Sequence, residues 1–496
     1  MSPRPRRPQP PDELVVLMGD VIAGTLQRLA EGRLRFTYDD TYRRRRDSTP
    51  LSLSMALADP VHEHTAVAPW IRGLLPDNPA VLTRWGEQFQ AAPTPYALLA
   101  TPVGEDCAGA VRFVRPVDLA RALARPGHVD WLTEDQVAAR VRELRVDPTA
   151  WLGRALTGQF SLAGAQAKTA LLFQDGRWGV PSGATPTSHI LKPAIPHLKD
   201  HDLNEHLCLD AARRIGLLAA RTRVVRFGDE TAIVVERYDR AEHADGMERI
   251  HQEDLCQALG VEPERKYQID GGPSPGRITA LFRLRMTPTA AADAMNRFAD
   301  ALAWNWVIGG TDAHAKNYSV LLAGGDSRLA PLYDVASLLP YDGVNLEKMR
   351  MAMRIGEEYY LTMRPFRRAL QKGFDGPWEK AAAELGMDPG RLRARVTEVV
   401  AAAPDAFSEA ASTPEIVALA SSLPARLIDA VAHRAASCAR VVATRARAPS
   451  SSSSVSPPAG PAKPGEGAGE VEVRPHERHG KPVVGHMRRP PKERAR

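Results

Sequence analysis

Long apolar runs are missing from this chain. In 496 residues there is no stretch of about 18 consecutive apolar residues, which excludes a helix spanning a bilayer. Cysteine is scarce. The four present (Cys107, Cys208, Cys256, Cys438) are scattered and form no Cys-x-x-Cys pair. That argues against a disulfide scaffold or a thiolate zinc site, and fits a reduced, cytoplasmic protein. Residues 2–11 are rich in Arg and Pro and lack the apolar segment of a secretory leader. A charge excess is also missing from the body of the chain. The formal net charge is +6, but residues 447–496 hold ten Lys and Arg against five Glu, which leaves about +1 for everything before them. A nearly neutral body carries no electrostatic footprint for direct binding to nucleic acid.

What is present is concentrated between Gly309 and Ser337. Gly309-Gly310-Thr311-Asp312-Ala313-His314-Ala315-Lys316-Asn317 is followed by a short apolar strand, a Gly324-Gly325-Asp326 turn, a second short strand and Tyr333-Asp334. Asp312 and Asn317 share the spacing of a kinase catalytic loop, Asp-x-x-x-x-Asn. Kinase-type phosphoryl transfer needs these parts in this order. One Asp orients the acceptor hydroxyl and takes its proton. The Asn and a second Asp hold magnesium on the ATP phosphates, and a hairpin between them brings distant residues to one metal. Asp, Asn and Gly also cluster in turns for backbone reasons alone, so the rest of the chain must decide.

The length allows two or three domains. Residues 1–12 read as an unstructured tail and 13–115 as a small mixed subdomain. Within it Leu14–Asp20 begins as a strand and meets a turn, Leu51–Met55 alternates as a half-buried strand does, and Ala108–Val114 reads as a closing strand. Residues 116–155 read as a helical linker. Residues 156–446 form the core, with a strand-rich lobe to about 240 and a helical lobe after it. The Ser/Pro/Gly-rich, then basic, segment 447–496 cannot bury enough apolar surface to fold alone.

Within the core, Phe160 to Phe173 places a loop of small residues and Lys168-Thr169 ahead of an apolar strand. It is not a Walker A loop: Ala167 stands where Gly is required, and a strand follows where a helix should. Its backbone N–H groups could still approach phosphate oxygens. An Asp175-Gly176 hairpin turn follows, and Lys192 then closes a short strand, where a kinase places its phosphate-pairing cation. Asp202 to Gly216 reads as a helix with Asp202 as cap and Glu205 three residues on, so a capping box is the first expectation for Glu205. A kinase helix also presents a Glu to its strand Lys. The run His201-Asp202-x-x-Glu205-His206 does not match a zinc motif. A hairpin over Arg223–Val235 leads into Glu236-Arg237-Tyr238-Asp239-Arg240, where an adenine-binding connector would lie. Ala292 to Ile308 is an apolar helix, with Met295, Phe298, Leu302 and Trp306 on one face, that delivers Asp312 to the cleft.

Taken together, Pro50–Ser54, Leu74-Leu75-Pro76-Asp77, Ser161 to Thr169, Lys192-Pro193, Asn204-Glu205, Glu236 to Arg240, Gln252-Glu253-Asp254, Lys266-Tyr267, Asp270-Gly271-Gly272-Pro273, Asp312 to Asn317 and Tyr333-Asp334 resemble the HipA family of bacterial serine/threonine kinases over about residues 13–440. The resemblance implies an α+β, two-lobed, remotely protein-kinase-like fold with an N-terminal mixed α/β subdomain and a mainly helical C-terminal lobe. It implies ATP and Mg²⁺ as cofactors. Ala163, Gly164, Ala165, Gln166, Lys168 and Thr169 would cover the ATP phosphates. Lys192 would pair with them, and Glu236, Tyr238, His314 and Lys316 would complete the ATP site. Asp312 would be the catalytic base, Asn317 and Asp334 the metal ligands, and Ser161 the autophosphorylation site. The expected partners are a HipB-like helix-turn-helix antitoxin, DNA mainly through that antitoxin, and a protein of translation such as an aminoacyl-tRNA synthetase. Ala167 departs from the acidic residue of the best-known member, and the tail after Arg447 has no counterpart in the resemblance. Two other readings stay open: a non-catalytic corepressor scaffold bound to the antitoxin, and a small-molecule kinase on the same fold.

Overall fold

The structure is a computed structural model. It describes residues 9–124, 127–153, 160–243, 246–345, 347–361, 363 and 376–443, with short pieces between 471 and 488. The N-terminal subdomain is a five-stranded antiparallel sheet of β1 (Glu13–Met18), β2 (Val21–Arg28), β3 (Leu34–Tyr38), β4 (Val61–Glu63) and β5 (Val111–Val114), in the order β4-β3-β2-β1-β5. Helix α1 (His64–Gly73) covers one face, and Trp70, Ile71, Phe36 and Phe113 fill the core between them. The expected strand at Leu14 is present, and the closing strand expected over Ala108–Val114 spans Val111–Val114.

Leu51–Met55 differs from expectation. It is a tight turn held by a single Ser52–Met55 bridge. Its polar groups bond outward to the core rather than to a neighbouring strand: Leu53 N donates to Glu253 Oε1 at 2.6 Å and Ser54 Oγ to the Gln257 carbonyl at 3.1 Å. Alternation of apolar and polar residues here records a docking turn, with Leu51, Leu53 and Met55 buried.

The expected linker also differs. It contains helix α2 (Glu134–Val146), started by a Thr133/Gln136 capping box. Ahead of it lies β6 (His128–Leu132), which pairs with β8 (Arg177–Ser182) at the edge of the second sheet. That sheet has six antiparallel strands in the order β10-β11-β9-β7-β8-β6, with β7 (Thr169–Gln174), β9 (His189–Pro193), β10 (Thr222–Phe227) and β11 (Glu230–Glu236). Leu171, Val180, Leu191 and Val234 form its core against Val137 and Val141 of α2. Helix α3 (His201–Arg214) follows β9.

A small hairpin, β12 (Arg240–His243) and β13 (Gly246–Arg249), leads to β14 (His251–Asp254). The helical lobe is α4 (Pro275–Arg285), α5 (Pro288–Ile308), α6 (Pro377–Leu385), α7 (Pro389–Ala411) and α8 (Leu423–Ala443). Phe298, Leu302 and Trp306 of α5 are buried in its core, which also holds Trp304, Trp378 and Phe407. Each such side chain contributes about 1.5–3 kcal/mol by burial. Gly309 ends α5 in the left-handed region, φ +68°, as a helix-terminating glycine does. Beyond it β14, β15 (Ser319–Ala323) and β16 (Asp326–Leu329) form a three-stranded sheet, so the expected hairpin between Asn317 and Asp334 is in place.

All four cysteines are free and buried. No helix among the described residues is long and apolar enough to cross a membrane. Residues 447–496 form a separate unit. Its described parts are two antiparallel strand pairs, Val471–Val473 with His486–Arg488 and His476–Arg478 with Lys481–Val483. The expectation of an unstructured tail otherwise falls outside the described residues.

Candidate active site

A cleft of about 610 Å³ lies between the six-stranded sheet and the helical lobe. Asp312, Asn317 and Asp334 line it from below, and Ala163, Gly164, Ala165, Gln166, Lys168, Lys192, Glu236 and Tyr238 from above. His314 and Lys316 also line it. Thr169 and Ser161 do not. Thr169 is fully buried on β7 opposite Leu191, and Ser161 is fully buried with its Oγ donating to the Leu74 carbonyl at 2.6 Å.

The centre of the cleft is electrostatic. Lys192, at the end of β9, donates from Nζ to Glu205 Oε1 of α3 at 2.8 Å and to Asp334 Oδ1 at 2.8 Å. Burial alone would push its proton off, but the two carboxylates outweigh burial and hold the ammonium well above its ordinary range. Burial likewise opposes the charge of Asp334, while Lys192 and Lys168 hold that carboxyl well below the usual carboxylate range. Glu205 is thus an ion-pair partner, which corrects the capping expectation. Helix α3 begins one residue earlier than expected, and the residue preceding it is Asp200, in the left-handed region and without a side-chain cap bond.

Asp334 itself has φ +57°. A non-glycine residue there is strained, and such strain persists where surrounding contacts over-determine it. The turn aims the carboxylate back at Lys192.

Lys168 is buried, and its Nζ donates to the Ala163 carbonyl at 2.7 Å, closing the small-residue loop on itself. Burial, and then the charge of Lys192, push its pKa down to about 8. Gly164 has φ +102°, and a Cβ there would stand 2.7 Å from Lys168 Nζ. Only glycine fits this point of the loop without displacing the lysine.

On the opposite wall, Asn317 Nδ2 donates to the Asp312 carbonyl at 2.7 Å, fixing the bend between the two residues. The Asp312 carboxylate is exposed and accepts a hydrogen bond from the Tyr267 hydroxyl. His314 stacks edge-on against Tyr267, with ring centroids 5.0 Å apart. Lys316 is buried, with Nζ 3.0 Å from Asp254 Oδ2 and 3.5 Å from Asp77 Oδ1. At the connector, Tyr238 donates from Oη to Gln252 Oε1 at 2.6 Å and lies against Tyr333.

The donor set fits a nucleotide with a hard divalent cation. Asn317 and Asp334 offer oxygen ligands alone, and among the described residues no group of three or more His, Cys, Asp or Glu could hold a metal without outside help. Magnesium is characteristically held by one or two carboxylates together with substrate phosphates. The small-residue loop, Ala163 to Gln166, lines the cleft where those phosphates would lie.

Three residues of this cleft had no role in the sequence reading: Asp77, Asp254 and Tyr267. Lys266-Tyr267 and Leu74–Asp77 stood out as motifs, but nothing in their spacing pairs residue 77 with residues 266 and 316.

Comparison with known proteins agrees with this architecture. The HipA N-terminal domain model matches residues 14–114, and the HipA-like C-terminal domain model matches residues 160–407. The Sinorhizobium fredii protein Y4mE is 33% identical over 416 residues, 84% of this chain and 95% of that one. The serine/threonine-protein kinase toxin HipA of Shewanella oneidensis is 28% identical over 328 residues, 62% of this chain and 71% of that one. The structure of Shewanella oneidensis HipA with HipB and operator DNA superposes with a TM-score of 0.69 at 24% identity, covering 86% of this chain and 96% of that one. The two domain matches in sequence order, the relative alignable over nearly its whole length and the shared two-lobed fold establish that the chain belongs to the HipA family.

Proposed function

We propose that this chain is an ATP-dependent serine/threonine protein kinase of the HipA type. The observation that carries the reading is that Lys192, paired with Glu205 at 2.8 Å, reaches across the cleft to Asp334 at 2.8 Å, on the wall that also carries Asp312 and Asn317. Two lobes separated by more than a hundred residues converge on the charge pattern that phosphoryl transfer requires. The resemblance to the Shewanella kinase toxin supports it.

ATP with magnesium supplies the transferable phosphoryl group and its charge neutralisation. This chain's residues bind and orient it. Lys192 and Lys168 present two ammonium groups to the phosphates, and Asn317 and Asp334 hold the metal. Asp312 accepts the proton of the incoming hydroxyl, with Asn317 fixing its backbone. Glu236 and Tyr238 border the adenine end of the cleft, and His314 and Lys316 its floor.

The acceptor is a Ser or Thr of a translation protein, such as an aminoacyl-tRNA synthetase, whose modification arrests growth unless a HipB-like antitoxin restrains the kinase. DNA is met mainly through that antitoxin, as the nearly neutral body suggests. Ser161 is the proposed site of self-modification. Its Oγ is buried on Leu74, so a phosphate of about two negative charges could not be housed there and the loop would be expelled.

The test is incubation of the purified chain with γ-labelled ATP and magnesium beside Asp312→Ala, followed by phosphosite mapping. Label on Ser161 in the wild type and none in the variant is the expected result. A chain isolated free of phosphate and still inert would overturn the reading.

A further inference from the structure

The small-residue loop does not stand on the strand-rich lobe alone. Phe160 and Leu162, at its start, are buried in the hydrophobic core of the N-terminal subdomain. Four residues of that subdomain, Leu74 to Asp77, then run alongside the loop. Leu74 O accepts from Ser161 Oγ, Pro76 forms a parallel bridge with Gly164, and Asp77 N donates to Gly164 O at 3.0 Å. The Asp77 side chain turns the other way, across the cleft. Its Oδ2 lies 2.9 Å from Lys266 Nζ and its Oδ1 3.5 Å from Lys316 Nζ. One residue of the N-terminal subdomain thus touches both the loop above the cleft and two cations below it.

We propose that Asp77 is a positioning residue for phosphoryl transfer: its backbone pins the phosphate loop at Gly164 while its carboxylate sets the ammonium groups of Lys266 and Lys316 beside Asp312. This rests on the kinase reading given above.

The chemistry explains why a carboxylate is placed there. Lys266 has no other ion pair among the described residues, so without Asp77 its ammonium is free to swing onto Asp312 or the phosphates. Lys316 keeps Asp254, 3.0 Å away, but loses the charge that draws it toward the loop. An ammonium resting on Asp312 would blunt the base that accepts the hydroxyl proton.

A role in domain docking alone makes a different prediction, and the subdomain offers its own control. Arg72 also crosses to the core, pairing with Glu262 at 3.1 Å on the exposed surface. Arg72→Gln removes a docking ion pair without touching the cleft.

The experiment measures the rate of self-labelling from γ-labelled ATP for wild type, Asp77→Asn, Asp77→Glu and Arg72→Gln, across ATP concentration, with melting temperatures. Asp77→Asn keeps the shape and the backbone N–H. The expected result is a maximal rate lowered about ten- to a hundredfold, the range for misplaced catalytic groups. The half-saturating ATP concentration and melting temperature should stay near wild type. Asp77→Glu should recover part of the rate, and Arg72→Gln should match wild type. An active wild type with an equally active Asp77→Asn overturns the assignment alone. So does a loss that tracks a lowered melting temperature and is not relieved by Glu. A wild type isolated free of phosphate and still inert overturns the kinase reading and the assignment with it.

Discussion

Lys192 and Glu205 form a buried ion pair, Nζ to Oε1 at 2.8 Å, between a strand end and a helix that follow one another in the chain. Lys192 side-chain exposure is 7% and that of Glu205 is 1%, so neither charge has water to fall back on. Breaking such a pair by removing one partner costs about 3–5 kcal/mol. In Glu205→Gln, Lys192 keeps Asp334 as its remaining anion and would compete with the metal for that carboxylate. The expected outcome is a lower melting temperature together with a loss of phosphoryl transfer of at least about tenfold. Thermal melts and labelled-ATP assays on the same preparation check it. Unchanged transfer would show that Glu205 serves α3 alone.

Asp312 and Asp334 separate function from stability. The Asp312 carboxylate is exposed and, among the described residues, takes one side-chain hydrogen bond, from Tyr267, so Asp312→Ala should leave the melting temperature near wild type. Loss of a general base lowers rate by about 10²–10⁴. Asp334→Ala removes a carboxylate that Lys192 can replace with Glu205, and it too should abolish transfer in a folded protein. Circular dichroism beside labelled-ATP assays decides this. Full activity in either variant would remove that residue from the site.

Most of the cleft was legible because its residues are local. Asp312 to Asn317 lie within one turn, and Asp334 follows a hairpin whose Gly-Asp turn is written in the sequence. Lys192 and the loop before Thr169 were legible for the same reason: each sits at the boundary of an apolar strand. What escaped was set by contacts distant in sequence. Glu205 three residues after Asp202 satisfies a capping pattern, and only the fold brings Lys192 to it. The β6 strand has exposed or half-buried residues throughout and is a strand because β8 offers it an edge. Leu51–Met55 shows strand alternation, yet outside the turn its backbone bonds go to side chains, Tyr38 nearby and Glu253 and His251 two hundred residues away.

Lys168 should make nucleotide binding sensitive to alkali. Its pKa is pushed down to about 8 by burial and by Lys192. Below that value the ammonium faces the phosphates, and above it the side chain is neutral. Affinity for ATP should therefore fall as pH rises through 8, by at most about tenfold per unit if only the charged form binds. A fluorescent nucleotide titrated between pH 7 and 9 reports this, and Lys168→Met should flatten the dependence while lowering affinity throughout. A wild-type affinity constant across that range would show that the phosphates are held without Lys168.

Glu253 gives the docking of the N-terminal subdomain a pH dependence of its own. The carboxyl is buried, accepts a hydrogen bond from Leu53 N at 2.6 Å and has its Oε2 without a protein partner. Burial pushes its pKa up to about 8, against the bonds from Leu53 and Ser52. In the unfolded chain the group ionises near 4.5. Below that value both states hold the proton and folding pays nothing for it. Between about 4.5 and 8 the unfolded chain releases the proton and the folded one keeps it, so stability falls as pH rises, by up to about 1.4 kcal/mol per unit. Above 8 the loss is complete. Glu253→Gln removes the ionisation and keeps an acceptor for Leu53. The variant should match or slightly trail wild type near pH 5, and should exceed it in urea midpoint by pH 8. Parallel slopes for the two proteins across that range would mean that Glu253 is ionised in the fold, and that the Leu53 turn is held by a charge rather than by a neutral acid.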